Sequence, residues 1–214
     1  MIVLFAPLIF VIAYLYGGFS TARVIAKSFR SLNLDKVGTG LSDTENIYSN
    51  ISKSMGILVG ALDLSKAYLF LLLVEFLLRW LDMSSSYLDI SLLYSPNLML
   101  VYGVGMLMGH CLPLVHHFRG GRGIFTYMGF FAYYAFLPML ITAILAMILV
   151  LRFRQIRFAQ YTIVILPVVL FQIFYHATPM YQGDLPEYFN SILIANAVLM
   201  GVLNFLVSKR LGEF

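Results

Sequence analysis

Between Gly109 and Thr126 the chain reads GHCLPLVHHFRGGRGIFT, a stretch that gathers residue types suited to handling an anion. Gly120, Gly121 and Gly123 carry no Cβ, so backbone N–H groups there could approach a ligand closely. Arg119 and Arg122 set two permanent positive charges beside them. Successive backbone donors next to guanidinium groups make a phosphate nest. Gly123 also precedes an apolar run, and the N-terminal end of a helix favours an anion. For a Gly-Gly-Arg-Gly taken alone, a basic turn joining two membrane helices is the plainer reading. A second group lies upstream. Asp63 and Lys66 stand three residues apart inside an apolar run and so share one helix face. Ionised groups in that setting must be paired or face a cavity, which makes them candidates for a site. A neutralised pair that fixes helix packing is the other reading.

The elements that position these residues are membrane helices. Of 214 residues, 61% are hydrophobic and only 11% charged, with a mean hydropathy of +0.88. A soluble domain cannot bury that much apolar surface. The net charge of +4 is spread over separate loops, which argues against nucleic-acid binding. A single cysteine, Cys111, excludes an internal disulfide framework. His-Glu-x-x-His and cysteine-pair patterns are absent, so a metal site has no support, and neither His110 nor His116 begins a His-x4-Asp diad. Met1 to Tyr16 has no basic n-region and reads as a retained helix, not a signal peptide.

The first helix is expected from about Ile2 to Ala26, with Gly17 and Gly18 as a small-residue packing face. Arg23, Lys27, Arg30 and Lys36 follow, and the positive-inside rule puts that end in the cytoplasm and Met1 outside. Further helices are expected at about Met55–Trp80 and Asn97–Leu114, then one ending near Tyr175 and one spanning about Phe189–Val207. The acidic stretches Leu81–Pro96 and His176–Tyr188 suit external loops. Ile124 to Leu151 is apolar for 28 residues and flanked by arginines at both ends. Two short helices turning near Pro138 would keep both basic ends on one side.

Gly109, His110, Pro113, Phe118, Gly120, Gly121, Gly123 and Thr126 together resemble the central motif of the bacterial acyl-phosphate-dependent glycerol-3-phosphate acyltransferases, small multi-pass membrane enzymes that form lysophosphatidic acid. Arg122 stands where that family usually has lysine. The resemblance extends to Gly17, Thr21, Ala22 and Lys27 in the first segment, and to Gly38, Thr39, Gly40 and Asn46 in the following loop. It includes Asp63 and Lys66 in the second helix, Leu166-Pro167 later on, and Arg210, Leu211, Gly212 and Glu213 in the tail. Leu41, Asp43, Thr44 and Glu45 depart from the family's phosphate-binding loop, and Ser49 replaces an arginine. Two acids gained and one cation lost make a poorer anion site. Near Arg157 the family has serines, so one arginine there could supply the charge missing at Ser49.

The resemblance implies a single all-α integral membrane domain over 1–214. It is a seven-transmembrane-helix bundle in a bacterial inner membrane, with the N-terminus outside and the C-terminus cytoplasmic. It implies acyl transfer from acyl phosphate to the 1-hydroxyl of glycerol 3-phosphate, with membrane lipids as surroundings and no cofactor. His110, Arg122 and Lys66 are then the catalytic candidates, supported by Asp63. Thr39, Gly40, Asn46, Gly120, Gly121, Gly123, Thr126, Arg157 and Arg210 are the substrate- and phosphate-binding candidates. An acyl phosphate is an activated mixed anhydride, so positioning and charge stabilisation would suffice without a protein nucleophile. The departures at Leu41, Asp43 and Ser49 motivate another reading, a non-catalytic homologue that binds a phosphorylated lipid or metabolite. The intramembrane Asp63 and Lys66 would also suit a small transporter or scaffold.

Overall fold

The computed structural model describes residues 5–84, 89–179 and 186–212. The expected start at Ile2, the tail residue Glu213 and parts of the two expected outer loops lie outside them. All regular structure among the described residues is helical. Among the described residues, six stretches are long and apolar enough to cross a membrane: Phe5–Phe29, Lys53–Ser84, Pro96–His116, Phe136–Phe153, Ile156–Ala177 and Phe189–Arg210. Large apolar side chains such as Phe76, Met147, Ile165 and Val198 cover the outside, while Asp63, Lys66, His110 and Arg122 lie within. Apolar surface outside and ion pairs inside is what a lipid solvent selects. The chain is a multi-pass membrane protein.

Helix α1 (Phe5–Gly17) does not run on to Ala26 as expected. The chain leaves the helix at Gly18, and the hydroxyl of Ser20 accepts from the Arg23 N–H at 3.2 Å, capping a new helix, α2 (Thr21–Arg30). The break leaves the carbonyls of Gly17 and Phe19 without helical partners, and the candidate site uses both. Gly17 and Gly109 do act as packing positions. A Cβ at Gly17 would meet the Met106 carbonyl, and one at Gly109 the Tyr14 carbonyl, so α1 and α5 (Pro96–Cys111) touch backbone to backbone.

A short helix, α3 (Thr44–Asn50), precedes α4 (Lys53–Ser84), which at about 1.5 Å per residue exceeds the bilayer core. The apolar run from Ile124 forms two helices, as expected. The turn falls at Ala135, between α6 (Ile124–Tyr134) and α7 (Phe136–Phe153). Pro138 instead sits in the first turn of α7, where its missing N–H breaks no helical bond. The two helices fold back. Arg122, before α6, and Arg157, just after α7, both reach Glu45 Oε2, at 3.3 and 3.5 Å. A straight rod through both helices would hold those arginines more than 40 Å apart, roughly, at 1.5 Å per residue. The 11 residues of α6 are too few to span alone, and it is buried along most of its length. Gly129 seats it against the Leu64 carbonyl of α4. Helices α8 (Ile156–Ala177) and α9 (Phe189–Arg210) complete the bundle.

Candidate active site

A buried ionic cluster forms where the α1–α2 break, α4 and α5 meet. Asp63 and Lys66 leave the same face of α4, and His110 leaves the last turn of α5. Asp63 Oδ1 accepts the Thr21 hydroxyl at 2.6 Å and lies 3.2 Å from Lys66 Nζ. Lys66 Nζ also donates to the carbonyls of Phe19, at 2.9 Å, and Gly17, at 3.3 Å. The helix break thus supplies the acceptors that make a buried ammonium tolerable. The fourth neighbour of Nζ is His110 Nδ1, at 3.2 Å. An ammonium only donates, so this network assigns Nδ1 as the acceptor and leaves the imidazole hydrogen on Nε2. Nε2 lies 2.9 Å from the place a Cβ on Gly121 would occupy. His110 therefore presents an N–H donor to the glycine loop.

The loop is folded tightly around His110. The Gly121 N–H donates to the His110 carbonyl at 3.2 Å, and a Cβ at Gly120 would run into that same carbonyl. Gly123 has φ +75° and serves as the N-cap of α6, a conformation that other residues adopt only under strain. Thr126 is fully buried one turn further on, and its hydroxyl has no hydrogen-bond partner among the described residues.

The acidic residues of the preceding segment pack against Arg122. Asp43 caps α3 through the Asn46 N–H at 3.0 Å, and its other oxygen accepts the Arg122 N–H at 3.3 Å. Burial pushes the Asp43 carboxyl up to about 6. Arg122, itself 2% exposed, is held by Glu45 and donates to Ser208 Oγ at 3.0 Å. Arg157 donates to Gln160 Oε1 at 3.1 Å, and Gln160 Nε2 donates to the shared Glu45 oxygen at 2.8 Å. Glu45 thus faces two guanidinium groups, while Asp43 holds the Arg122 backbone, across the α3–α6 junction.

The structure brings Asp63, Lys66, His110, Gly120, Gly121, Gly123 and Arg122 into one neighbourhood, with Arg157 at its edge. It gives Asn46 another role than phosphate donor. Its Oδ1 accepts from Thr39 N–H and Asn50, and its Nδ2 donates to the carbonyls of Val37 and Leu41. That exhausts an amide side chain, so Asn46 organises the 37–46 loop. Thr39 Oγ1 accepts the Leu41 N–H at 3.4 Å, and Gly40 takes φ +72° in the same turn. Arg210 lies apart, exposed, donating to the Phe118 carbonyl at 3.1 Å. Thr21, Gln160, Asn204 and Ser208 were not singled out for the site by sequence. Thr21 alone had a signal, as part of the resemblance in the first segment.

Gly121→Ala therefore meets protein before it meets ligand. Its methyl would lie 2.7 Å from Asp43 Cβ and 2.9 Å from the Ser42 carbonyl and His110 Nε2. Ligand clearance alone would predict lost phosphate binding with little loss of folded protein. The packing instead predicts a stability cost of about 1–3 kcal/mol as well, because a filled site is overpacked. Thermal unfolding of the purified variant checks this, and an unchanged midpoint would return the glycine to a ligand-clearance role.

These features accord with the comparisons to known proteins. The family described as glycerol-3-phosphate acyltransferase matches residues 7–209. Glycerol-3-phosphate acyltransferase 1 of Lactobacillus acidophilus is 30% identical over 138 residues, 64% of this chain and 60% of that protein. A glycerol-3-phosphate acyltransferase of Zymomonas mobilis is 30% identical over 124 residues, 58% of this chain and 55% of that protein. The chain thus matches little more than half the length of these curated relatives. The crystal structure of PlsY, an integral membrane glycerol 3-phosphate acyltransferase, in its glycerol 3-phosphate form superposes with a TM-score of 0.70 at 21% identity. It covers 96% of this chain and 88% of that one. The lysophosphatidic acid form gives 0.67 at 19% identity, which establishes the shared fold. The match across nearly the whole chain, with the helical bundle and the motif it carries, assigns this protein to the glycerol-3-phosphate acyltransferase family.

Proposed function

We propose that the protein transfers an acyl group from acyl phosphate to the 1-hydroxyl of glycerol 3-phosphate, forming lysophosphatidic acid at the inner leaflet of a bacterial membrane. The observation that carries this reading is the buried Asp63–Lys66–His110 cluster aimed at the glycine loop. In the step proposed, the glycerol hydroxyl oxygen bonds to the acyl carbonyl carbon and the carbon–oxygen bond to phosphate breaks. Inorganic phosphate leaves, and the hydroxyl proton passes to it. Lys66 and the His110 Nε2–H supply positive charge and a donor where negative charge develops, and Arg122 faces the leaving phosphate. Purified protein given acyl phosphate and glycerol 3-phosphate is the test. Lysophosphatidic acid is expected, and its absence under conditions where the protein stays folded overturns the reading.

The same proposal carries seven crossings, with α6 and α7 as a hairpin, the glycine loop cytoplasmic and the α4–α5 connection outside. Ser91 is exposed just before α5 and Arg119 just after it. In a Cys111→Ser background, Ser91→Cys in intact cells should react with an impermeant maleimide. Arg119→Cys should react only after the membrane is opened. The reverse pattern would invert the topology.

A second reading, a homologue that binds a phosphorylated ligand without turning it over, draws on the acids Asp43 and Glu45 held against Arg122. It makes a distinct prediction. Sulfate, whose charge is constant from pH 7 to 5, should bind more tightly as pH falls through about 6, where Asp43 takes up a proton. Removing that charge should strengthen binding about tenfold, the equivalent of 1.4 kcal/mol. The sign for stability agrees. With its pKa raised, Asp43 favours the fold most below its ordinary value of 3.8, and that contribution is lost as pH rises through about 6. Asp43→Asn should bind sulfate equally at both pH values. A flat wild-type profile would show that Asp43 does not compete with the anion.

A further inference from the structure

Helices α8 and α9 meet at the end of the bundle away from the glycine loop. There Gln172 Nε2 donates to Asn190 Oδ1 at 3.0 Å, and the rings of Phe171 and Phe189 lie 5.9 Å apart. Toward the loop a groove of about 520 Å³ lies between the helices. Its walls change character along its length. At the loop end stand Arg157, Gln160, Asn204 and Ser208. Asn204 donates to the Arg122 carbonyl at 3.3 Å and Ser208 accepts from its guanidinium, so this end joins the candidate site directly. Beyond, the lining is apolar, with Ile124 at one side and Val164, Ile165 and Val198 along the helices. Ile165 and Val198, 60% and 61% exposed, leave the groove open to the membrane.

A small residue stands midway along the groove. Gly201 lines the groove, and a Cβ built there meets nothing within 4 Å. Glycine inside a helix is less favourable than alanine, and at this position no close helix contact accounts for it. Its effect is to keep the groove open midway. From residue 197 to 208 the α9 wall is about 16 Å long, at 1.5 Å per residue.

We propose that this groove holds the hydrocarbon chain of the acyl donor, with its phosphate end at Arg122 and Arg157, and that Gly201 sets which chain lengths fit. The inference rests on the acyl-transfer reading above. One amphiphile with an anionic head and a single chain matches both ends of the groove at once. The apolar side opens laterally, so such a molecule enters from the bilayer without crossing water. A free phosphorylated metabolite would match only the polar end.

The test compares palmitoyl phosphate with octanoyl phosphate on Gly201→Leu and the wild type. Leucine is the better helix former, and its side chain would project into open space, so the variant is expected to fold. The ratio of kcat/KM for palmitoyl over octanoyl phosphate should fall at least about tenfold, within the range that hydrophobic pockets discriminate. Gly201→Ala should lower it less. In parallel, the non-transferable palmitoyl and octanoyl phosphonates are titrated against both proteins in nanodiscs. Wild-type binding of palmitoyl phosphonate that weakens selectively in Gly201→Leu supports the groove even if no lysophosphatidic acid forms, an outcome that would overturn only the catalytic reading. Turnover by the wild type with a palmitoyl-to-octanoyl ratio unchanged in Gly201→Leu overturns the groove and leaves the catalytic reading standing. Failure of the wild type to bind either phosphonate overturns it as well.

Discussion

Lys66→Ala is expected to abolish acyl transfer and to destabilise the protein by about 3–5 kcal/mol, the cost of leaving a buried carboxylate without its partner. Asp63 is 2% exposed and Lys66 7%, so solvent cannot screen the loss. An exposed pair of the same geometry would be worth ~1 kcal/mol at most. The variant also strips His110 Nδ1 of the donor that assigns its tautomer, which frees the ring to present a lone pair where it now presents an N–H. Activity and stability can be separated. In Asp63→Asn/Lys66→Met both charges are gone, and replacing a buried pair by neutral groups of similar size is often close to neutral for stability. The double variant should recover most of the lost thermal midpoint and none of the turnover. A Lys66→Ala protein that melts like the wild type would show that the lysine does not neutralise Asp63. A double variant that turns over would remove both residues from the chemistry.

Arg157→Ser is expected to lower catalytic efficiency by about one to two powers of ten, because a charge-assisted bond to phosphate contributes roughly 1.5–3 kcal/mol. Its effect on stability should be small. The Arg157 side chain is 41% exposed and its 3.5 Å contact with Glu45 is shared with Arg122 and Gln160. The structure sharpens the idea that charge has moved between two loops. Ser49 lies four residues after Glu45 on α3, so the two share a helix face. An arginine at position 49 and one at position 157 would therefore both lie near the same carboxylate. Adding Ser49→Arg to Arg157→Ser should restore part of the lost activity, and the double-mutant cycle measures the coupling. Membrane anchoring predicts a mild single variant and no rescue. A coupling energy near zero ends the relocation idea and strengthens the non-catalytic reading, in which Asp43 and Glu45 are held against Arg122.

The acidic loop shows how far linear pattern carries. Read along the chain, Asp43 and Glu45 are departures from a phosphate-binding string, and their charges predict a weaker anion site. That inference needed no coordinates, since the sign of a charge is local information. Where the charges go was not legible. Asp43 meets Arg122 across 79 positions and Glu45 meets Gln160 across 115, and no periodicity encodes such pairings. Asn46 is a similar case. Its type suits phosphate, but its four hydrogen bonds close the loop on itself, and only the folded path of residues 37–50 shows that they are spent.

Hydropathy and residue spacing were enough to show a multi-pass helical membrane protein with Asp63 and Lys66 on one helix face, and residue types marked Gly109–Thr126 as the candidate site. Hydropathy and the 3.6-residue period are properties of short windows, because lipid burial and helical hydrogen bonding act over a few turns. The tertiary structure alone decided how the buried lysine is made tolerable. The apolar run containing Gly17 and Gly18 reads as continuous helix, yet Ser20 caps a new one, and the two carbonyls freed by the break close on Lys66 from 47 and 49 residues away. It also decided that α6 stops short at Ala135 and that a groove lies between α8 and α9 beside the site. Each depends on packing between distant helices, where the energy of a contact is set by which surfaces meet and not by the residues adjoining it in the chain.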